Sequence, residues 1–366
     1  MSKPYIALFM PSLEGGGAER MMVHLANAFV KRGIQVDLVL VRAVGAYQDE
    51  VADEVRIIDL QASRILTAFP KLVRYLRTHR PEAMLSTLTF ANVVATWACR
   101  WVSHPPRLVL REANTVSAIS GPSSELKNRL IPHLIGCFYP RADQVVTISK
   151  GAQEDLIKVS DLPSQALTTI YNPVVTEELI KKARDLPNHP WFVEGTLPII
   201  LAVGRLEPQK NFETLIRAFR RVHDEKKARL LILGEGKERE KLESLVHSLS
   251  LADVVDIPGF VSNPFCYMAN SDLFVLSSRF EGLGNVLVEA MATGCPVVST
   301  DCPSGPREIL EDGQWGTLVP VGDEEALATA ILDAIDSPRC SDELRKRAQA
   351  FSASQSVDQY LDVLLG

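Results

Sequence analysis

Short apolar runs that end at glycine-rich or polar turns alternate with amphipathic stretches along nearly the whole chain, and no other feature narrows the fold so far. Tyr5–Met10 is such a run, and Gly15–Gly17 follows as a flexible turn. Glu19–Gly33 then sets Met22, Leu25, Ala26 and Phe29 at helical spacing, and Val36–Val41 reads as a strand. Strand, glycine turn, helix and strand are the opening of a parallel sheet covered by helices. Ala83–Ser86, Leu108–Arg111 and Gln144–Ser149 continue as strands. The alternation resumes with strands at Pro198–Gly204, Arg229–Gly234, Val254–Pro258, Leu273–Ser277, Pro296–Thr300 and Gly316–Val319. Between them fall helical stretches at Asn211–Glu225, Glu238–Leu249, Asn263–Asn270 and Asn285–Thr293, and a helical turn at Gly305–Leu310. The pattern predicts an α/β protein of two doubly wound, Rossmann-like domains facing a central cleft, with ligands beyond the carboxyl ends of the strands.

At 366 residues the chain exceeds the size at which a single hydrophobic core stops growing. The turn-forming text Asp185-Leu186-Pro187-Asn188-His189-Pro190-Trp191 marks the break, giving a first domain over residues 1–188 and a second over 189–348. Residues 349–366 read as a C-terminal helix crossing back toward the first domain. A content of 46% hydrophobic and 23% charged residues fits a soluble, well-packed protein. No apolar span is long enough to cross a bilayer, and Met1–Met10 lacks the form of a secretion leader. Six scattered cysteines without C-x-x-C spacing argue against a disulfide scaffold or zinc knuckle and suit a reducing cytoplasm.

The net charge of −6 hides an asymmetry. Residues 1–190 hold 22 Lys and Arg against 18 Asp and Glu, a net +4, whereas residues 191–366 hold 17 against 27, a net −10. The densest cationic stretch, Arg64 to Arg80, interleaves cations with apolar residues and contains no acid, although Pro70 interrupts its pattern. Two readings stand. The stretch is either the solvated face of a helix packed on a sheet, or a surface that rests at the headgroup level of an anionic membrane at ~1 kcal/mol per cation. The acidic balance and the lack of interleaved aromatic and basic residues disfavour a nucleic-acid partner.

The chemistry gathers at the strand ends. Gly204-Arg205-Leu206-Glu207-Pro208-Gln209-Lys210-Asn211 joins a strand to a helix, so Arg205 and Lys210 can converge on one anion as a diphosphate clamp. Gly234-Glu235-Gly236 closes another strand and is either a plain turn or a close approach to a base or ribose. Arg279-Phe280-Glu281-Gly282-Leu283-Gly284-Asn285-Val286-Leu287-Val288-Glu289 sets two carboxylates eight residues apart across a glycine turn that opens a helix. The helix start favours a phosphate, while the flanking acids can hold sugar hydroxyls, which is a layout suited to a nucleotide-sugar.

With these pieces, and with Gly15-Gly16-Gly17-Ala18-Glu19-Arg20 and Ala292-Thr293-Gly294-Cys295-Pro296-Val297-Val298-Ser299-Thr300, the chain resembles retaining glycosyltransferases of the GT-B fold in glycosyltransferase family 4. The resemblance covers nearly the whole length. It implies that the loop with Gly16 and Gly17 approaches the donor phosphate or the acceptor. It further implies that Arg205 and Lys210 hold the diphosphate, that Glu281 lies by the donor sugar, and that Glu289 binds ribose. Gly204, Gly234, Gly282, Leu283, Gly284, Asn285 and Val286 would complete the donor site. The stretch from Asp301 to Leu310 resembles a branch that transfers N-acetylhexosamine, such as N-acetylgalactosamine, or galactose from UDP-sugars to lipid-linked or lipopolysaccharide glycans. Ser304 and Gly305 would then continue the sugar pocket, and the enzyme would work at the cytoplasmic face of the inner membrane on undecaprenyl diphosphate-linked or similar acceptors. Many relatives carry a histidine after a first-domain strand where this chain reads Arg111-Glu112-Ala113-Asn114. Arg111, Glu112 and Asn114 are therefore expected to face the acceptor, while His133 reads as structural.

Breaking the bond between the sugar and UDP puts negative charge on the diphosphate, which Arg205, Lys210 and the amides after Gly284 would stabilise. No Asp-x-Asp cluster stands at a strand end, so neither a metal nor another cofactor is expected. Two other functions remain open at this level: a GT-B-fold UDP-sugar epimerase and a non-catalytic nucleotide-sugar binding protein.

Overall fold

A computed structural model describes residues 3–14, 17–113, 115–117, 130–160, 162–195, 197–337 and 340–366. The chain separates into two compact units, one formed by Met1–Pro173 together with Ala353–Gly366 and the other by Val174–Ser352.

The first unit contains β1 (Tyr5–Met10), α1 (Gly17–Lys31), β2 (Gln35–Leu40), β3 (Arg56–Asp59), α2 (Phe69–His79), β4 (Ala83–Thr87) and α3 (Thr89–Cys99). It continues with β5 (Arg107–Glu112), α4 (Ile131–Phe138), β6 (Gln144–Thr147), α5 (Lys150–Ser160) and β7 (Leu167–Thr169). Its seven strands are all parallel in the order β3-β2-β1-β4-β5-β6-β7. Alternate residues of β1 feed two cores, with Ile6, Leu8 and Met10 joining Leu25, Phe29 and Val109 on one face. Ala7 and Phe9 join Leu72, Val94 and Leu110 on the other. A strand buried on both faces in this way reads as a continuous apolar run, as Tyr5–Met10 does.

The second unit contains α6 (Glu177–Lys182), α7 (Pro190–Glu194), β8 (Ile199–Val203), α8 (Phe212–Glu225), β9 (Arg229–Leu233), α9 (Arg239–Ser248), β10 (Val255–Gly259) and α10 (Pro264–Asn270). There follow β11 (Leu273–Leu276), α11 (Asn285–Thr293), β12 (Val297–Thr300), α12 (Pro306–Ile309), β13 (Thr317–Val319), α13 (Glu324–Asp336) and α14 (Ser341–Ala348). Its six strands are parallel in the order β10-β9-β8-β11-β12-β13. Strand order reverses between β8 and β11, the place at the carboxyl edge of such a sheet where ligands bind.

The units part at 173/174, earlier in the chain than the break marked at 188/189, because the intervening residues pack on helices of the second unit. Asn263 Nδ2 donates to the Lys182 carbonyl at 2.9 Å, and Tyr267 Oη donates to the Asn188 carbonyl at 3.2 Å. The last helix, α15 (Ala353–Leu365), belongs to the first unit. It buries Val357, Tyr360 and Leu364, and the Val363 carbonyl accepts from Arg107 Nε at 2.7 Å. Pro70 does not interrupt a helix. It stands in the first turn of α2, where its missing N–H has no intrahelical partner to lose, and residues 65–68 form a separate 3-10 turn before it.

Candidate active site

The reversal point of the second sheet brings together residues from the loops after β8 and β11. Lys210 Nζ donates to Glu281 Oε1 at 2.6 Å, with side chains only 15% and 9% exposed. Ser278 Oγ donates to the same carboxylate oxygen at 2.6 Å. The two loops are laced along their length. The Arg279 amide donates to the Gln209 carbonyl at 2.8 Å, and Gln209 Nε2 donates to the Phe280 carbonyl at 2.9 Å. Ser277 Oγ donates to the Lys210 carbonyl at 2.8 Å, and Arg279 Nη2 donates to Asn211 Oδ1 at 3.1 Å. Asn211 takes a left-handed φ of 52° at the cap of α8, a conformation that asparagine tolerates better than most residues. This lacing fixes a charge pair at the reversal point. Buried charges require such support, since each has given up hydration.

Glycines allow the loops to close on one another. A Cβ on Gly234 would lie 1.9 Å from the Gly204 carbonyl oxygen, so the loops after β8 and β9 touch backbone to backbone. A Cβ on Gly305, where φ is 91°, would lie 1.8 Å from the Leu283 carbonyl oxygen. Gly305 thereby holds the β12–α12 loop against the turn of Gly282, Leu283 and Gly284, with Ser304 beside it. The Glu281 amide also donates to the Pro303 carbonyl at 3.2 Å, bonding these loops together. Leu283 is buried. Gly284, with φ of 92°, caps α11, so Asn285 and Val286 stand at the positive end of that helix dipole. Glu289 lies one turn further on the same face and is buried.

Arg205 does not share Lys210's position. Its side chain is exposed and forms no ion pair among the described residues, whereas Lys210 is turned onto Glu281. Behind the carboxylate, burial and the Glu281 charge push the Cys302 thiol up to about 12, so Cys302 is a neutral wall of the site. Ser278, Gln209, Asn211, Arg279 and Cys302 were missed by the reading of the sequence. The paired hydroxyls Ser277-Ser278 at a strand end were the available signal for the first.

In the first unit, Gly17 opens α1 with open space around it, while Gly16 and Asn114 lie outside the described residues. Arg111 and Glu112 end β5, an interior strand with both faces covered, and their side chains are buried rather than presented to a ligand. Arg111 donates through Nη1 to Thr87 Oγ1 at 3.0 Å and through Nη2 to Asn172 Oδ1 at 2.6 Å. Glu112 Oε2 accepts from Tyr139 Oη at 2.7 Å and from Thr89 Oγ1 at 3.1 Å. Burial and the Glu112 charge hold the Tyr139 phenol well above its ordinary range. His133 lies exposed on α4 and makes no hydrogen bond among the described residues.

Two parallel α/β units, with charged loops at the carboxyl edge of the second, define a GT-B glycosyltransferase fold. The family model described as Glycosyltransferase Family 4 matches residues 15–178, and that described as Glycosyl transferases group 1 matches residues 189–351. A relative from Campylobacter jejuni is 32% identical over 99% of both chains. It is an N-acetylgalactosamine-N,N'-diacetylbacillosaminyl-diphospho-undecaprenol 4-alpha-N-acetylgalactosaminyltransferase. A lipopolysaccharide core biosynthesis glycosyltransferase of Rhizobium meliloti is 29% identical over 95% of this chain and 96% of its own. Among solved structures, HepE of Anabaena in complex with UDP has a TM-score of 0.78 at 23% identity, covering 99% of each chain. The chain belongs to glycosyltransferase family 4 and is an enzyme of glycosyl transfer.

Proposed function

We propose that this glycosyltransferase moves a hexose or N-acetylhexosamine from a UDP-sugar to a lipid-linked glycan during assembly of bacterial surface polysaccharide, lipopolysaccharide or glycoprotein glycans, with retention at the anomeric carbon. The observation that carries the reading is the meeting of Lys210 and Glu281 at the reversal point of the second sheet, in the loops that also carry Arg205 and lead into α11. The full-length Campylobacter relative, whose name specifies a diphospho-undecaprenol acceptor and N-acetylgalactosamine transfer, supports the choice of acceptor and donor sugar.

In this reading the diphosphate enters between Arg205, Lys210 and the N-terminal end of α11. Lys210 turns part of its hydrogen-bonding capacity to phosphate, an ammonium having three donors. Glu281, steadied by Ser278, orients a sugar hydroxyl, and Ser304 and Gly305 border the same pocket. Glu289 accepts from the ribose. Gly204, Gly234, Gly282 and Gly284 let the backbone approach where a side chain would collide. Arg111 and Glu112 support the acceptor side from within, fixing the end of β5 and its neighbours rather than touching the acceptor.

The bond from the sugar C1 to the diphosphate oxygen breaks as the acceptor oxygen bonds to C1 on the same face. The departing phosphate oxygen takes the acceptor proton. Charge developing on UDP meets cations already in place, which is how preorganised electrostatics lowers a barrier. Arg205 and Lys210 supply that charge in the proposal, so turnover is expected to be metal-independent and to continue in EDTA. The enzyme is placed peripherally on the cytoplasmic face of the inner membrane. Among the described residues no helix is long and apolar enough to cross a membrane.

The test is a panel of UDP-sugars against undecaprenyl diphosphate-linked and lipopolysaccharide-like acceptors, reading released UDP and the anomeric configuration of the product. Dependence of UDP release on a lipid-linked acceptor, with an unchanged anomeric configuration, is the expected result. Inverted product would overturn retention, and turnover only with donors other than UDP-sugars would overturn the donor assignment.

A further inference from the structure

The first unit carries an apolar patch that its own core does not explain. Phe69, at the start of α2, stacks on Trp97 of α3 with ring centroids 4.1 Å apart and meets Trp101 edge-on at 6.0 Å. This aromatic group is only half inside the protein, with Trp97 41% and Trp101 56% exposed. Leu66, on the turn leading into α2, is 63% exposed. Two of the chain's four tryptophans therefore stand at one surface, next to an exposed leucine on an element that packs against α3. Bulky amphipathic rings are enriched where a bilayer meets water.

The stretch of chain that carries the patch is charged almost wholly with one sign. From Gln61 through Arg111 the sequence contains eight Lys and Arg residues and a single carboxylate, Glu82. Lys71, Arg74 and Arg77 follow one another along the exposed side of α2, with Arg64 and Arg100 exposed at its flanks. None of these five forms an ion pair among the described residues, and two are spent on backbone. Lys71 Nζ donates to the Gln61 carbonyl at 2.7 Å, and Arg77 Nη2 donates to the Trp101 carbonyl at 2.7 Å, tying the cationic helix to the aromatic group. In a chain of net charge −6, an unneutralised cationic rim around exposed tryptophans is a local device and not a consequence of overall basicity.

We propose that Leu66, Phe69, Trp97 and Trp101 form a wedge that enters the headgroup region of an anionic lipid bilayer, while Arg64, Lys71, Arg74, Arg77 and Arg100 bind the lipid phosphates around it. The occupant is a bilayer because the apolar centre and cationic rim together match an acyl boundary beneath anionic headgroups. The purpose of the contact rests on the lipid-linked acceptor proposed above, since an enzyme seated on the bilayer meets such an acceptor in two dimensions. The contact itself does not depend on that reading.

The test is sedimentation of the full chain with vesicles of phosphatidylcholine alone or with one-third phosphatidylglycerol, together with quenching of tryptophan fluorescence by brominated acyl chains. Binding only to the phosphatidylglycerol vesicles, with quenching, is the expected result. The pair Lys71→Ser and Arg74→Ser should lower the partition coefficient about thirtyfold, as expected for two cations near the surface. Trp101→Ser with Leu66→Ser should lower it at least tenfold and reduce quenching, with the melting temperature kept. UDP release with a water-soluble acceptor analogue is measured alongside. If wild type binds vesicles but releases no UDP from any UDP-sugar, the donor assignment proposed above fails and the wedge stands. The wedge is overturned by equal binding of wild type and both double variants, by absence of binding to anionic vesicles, or by a lipid-free dimer that Trp101→Ser and Leu66→Ser dissociate.

Discussion

Lys210 and Glu281 form a largely buried ion pair, and the consequences of breaking it differ from those of trimming its support. Lys210→Ala removes a cation proposed for the diphosphate and takes the lysine partner from the buried Glu281 carboxylate, to which Ser278 still donates. Turnover should fall at least tenfold in a UDP-release assay with the matching acceptor, and a near-unchanged rate would remove Lys210 from the clamp. A thermal melt of the same variant should show destabilisation, because removing one partner of a buried ion pair costs about 3–5 kcal/mol. Ser278→Ala is the subtler change. It deletes one hydroxyl bond to a charged acceptor, worth about 1.5–3 kcal/mol, without removing any charge. The expected result is a fall of about tenfold or more in kcat/KM, with Ser278→Thr recovering much of it. Equal kinetics for Ser278→Ala and wild type would show that Glu281 needs no such orientation. Glu281 and Lys210 were visible from the sequence because each stands at a strand end beside glycine or a helix start. Their direct pairing was not visible, since it depends on how two loops separated by 70 residues are laced, and the spacing within either loop carries no record of the other.

At the scale of elements, a single carboxylate ties three strands and a helix in the first unit. Asp37 sits fully buried in the middle of β2 and accepts from Tyr5 Oη of β1 at 2.5 Å and from Tyr75 Oη of α2 at 2.7 Å. Arg56 of β3 reaches it through Nε at 2.8 Å and Nη2 at 2.6 Å. Burial and the Asp37 hydrogen bond push the Tyr5 phenol from 10.0 up to about 12, and burial, the Tyr5 hydrogen bond and the Asp37 charge raise Tyr75 further. The folded state therefore holds these phenolic protons more tightly than the unfolded chain does. Stability from this source is fully present below pH 10.0 and is lost as pH climbs toward about 12. Melts taken between pH 8 and 12 should hold up to about pH 10 and decline above it, and Tyr5→Phe, which cannot ionise, should decline less steeply. The same cluster shows which elements the sequence disclosed. Strand β2 was legible as the run Val36–Val41 because five of its six residues in the sheet are buried. Strand β3, Arg56-Ile57-Ile58-Asp59, was not, because an edge strand of four residues with charges at both ends lacks the apolar run of a doubly covered strand. Strand β7 on the opposite edge was hidden likewise, being three residues, Leu167-Thr168-Thr169. Central strands declare themselves through burial; edge strands are fixed by a partner elsewhere in the chain.

At the scale of the whole molecule, the first unit is built from both ends of the sequence, which makes its stability depend on residues far from its main segment. Val357, Tyr360 and Leu364 of α15 are buried in the same core as Ile6, Leu8, Leu25 and Phe29. Arg32 forms an ion pair with Asp358, and Arg107 Nε donates to the Val363 carbonyl at 2.7 Å. Burying an apolar side chain of this size contributes about 1.5–3 kcal/mol. Loss of three is thus comparable to the roughly 5–15 kcal/mol that separates a folded domain from its unfolded state. Deleting residues 353–366 should therefore unfold or strongly destabilise the first unit while leaving the second, Val174–Ser352, with its own sheet and core. Calorimetry of the deletion should show one remaining cooperative transition, and hydrogen exchange should show protection in β8, β9, β11 and β12 but not in β1, β2 or β4. A fragment of residues 3–173 should behave like the unfolded unit when made alone. Joining it directly to 353–366 through a short flexible linker should restore its cooperative melt, since the helix supplies side chains that no other element of that unit replaces. Protection of β1 and β4 in the fragment without α15 would show instead that the seven-stranded sheet is stable without its returning helix.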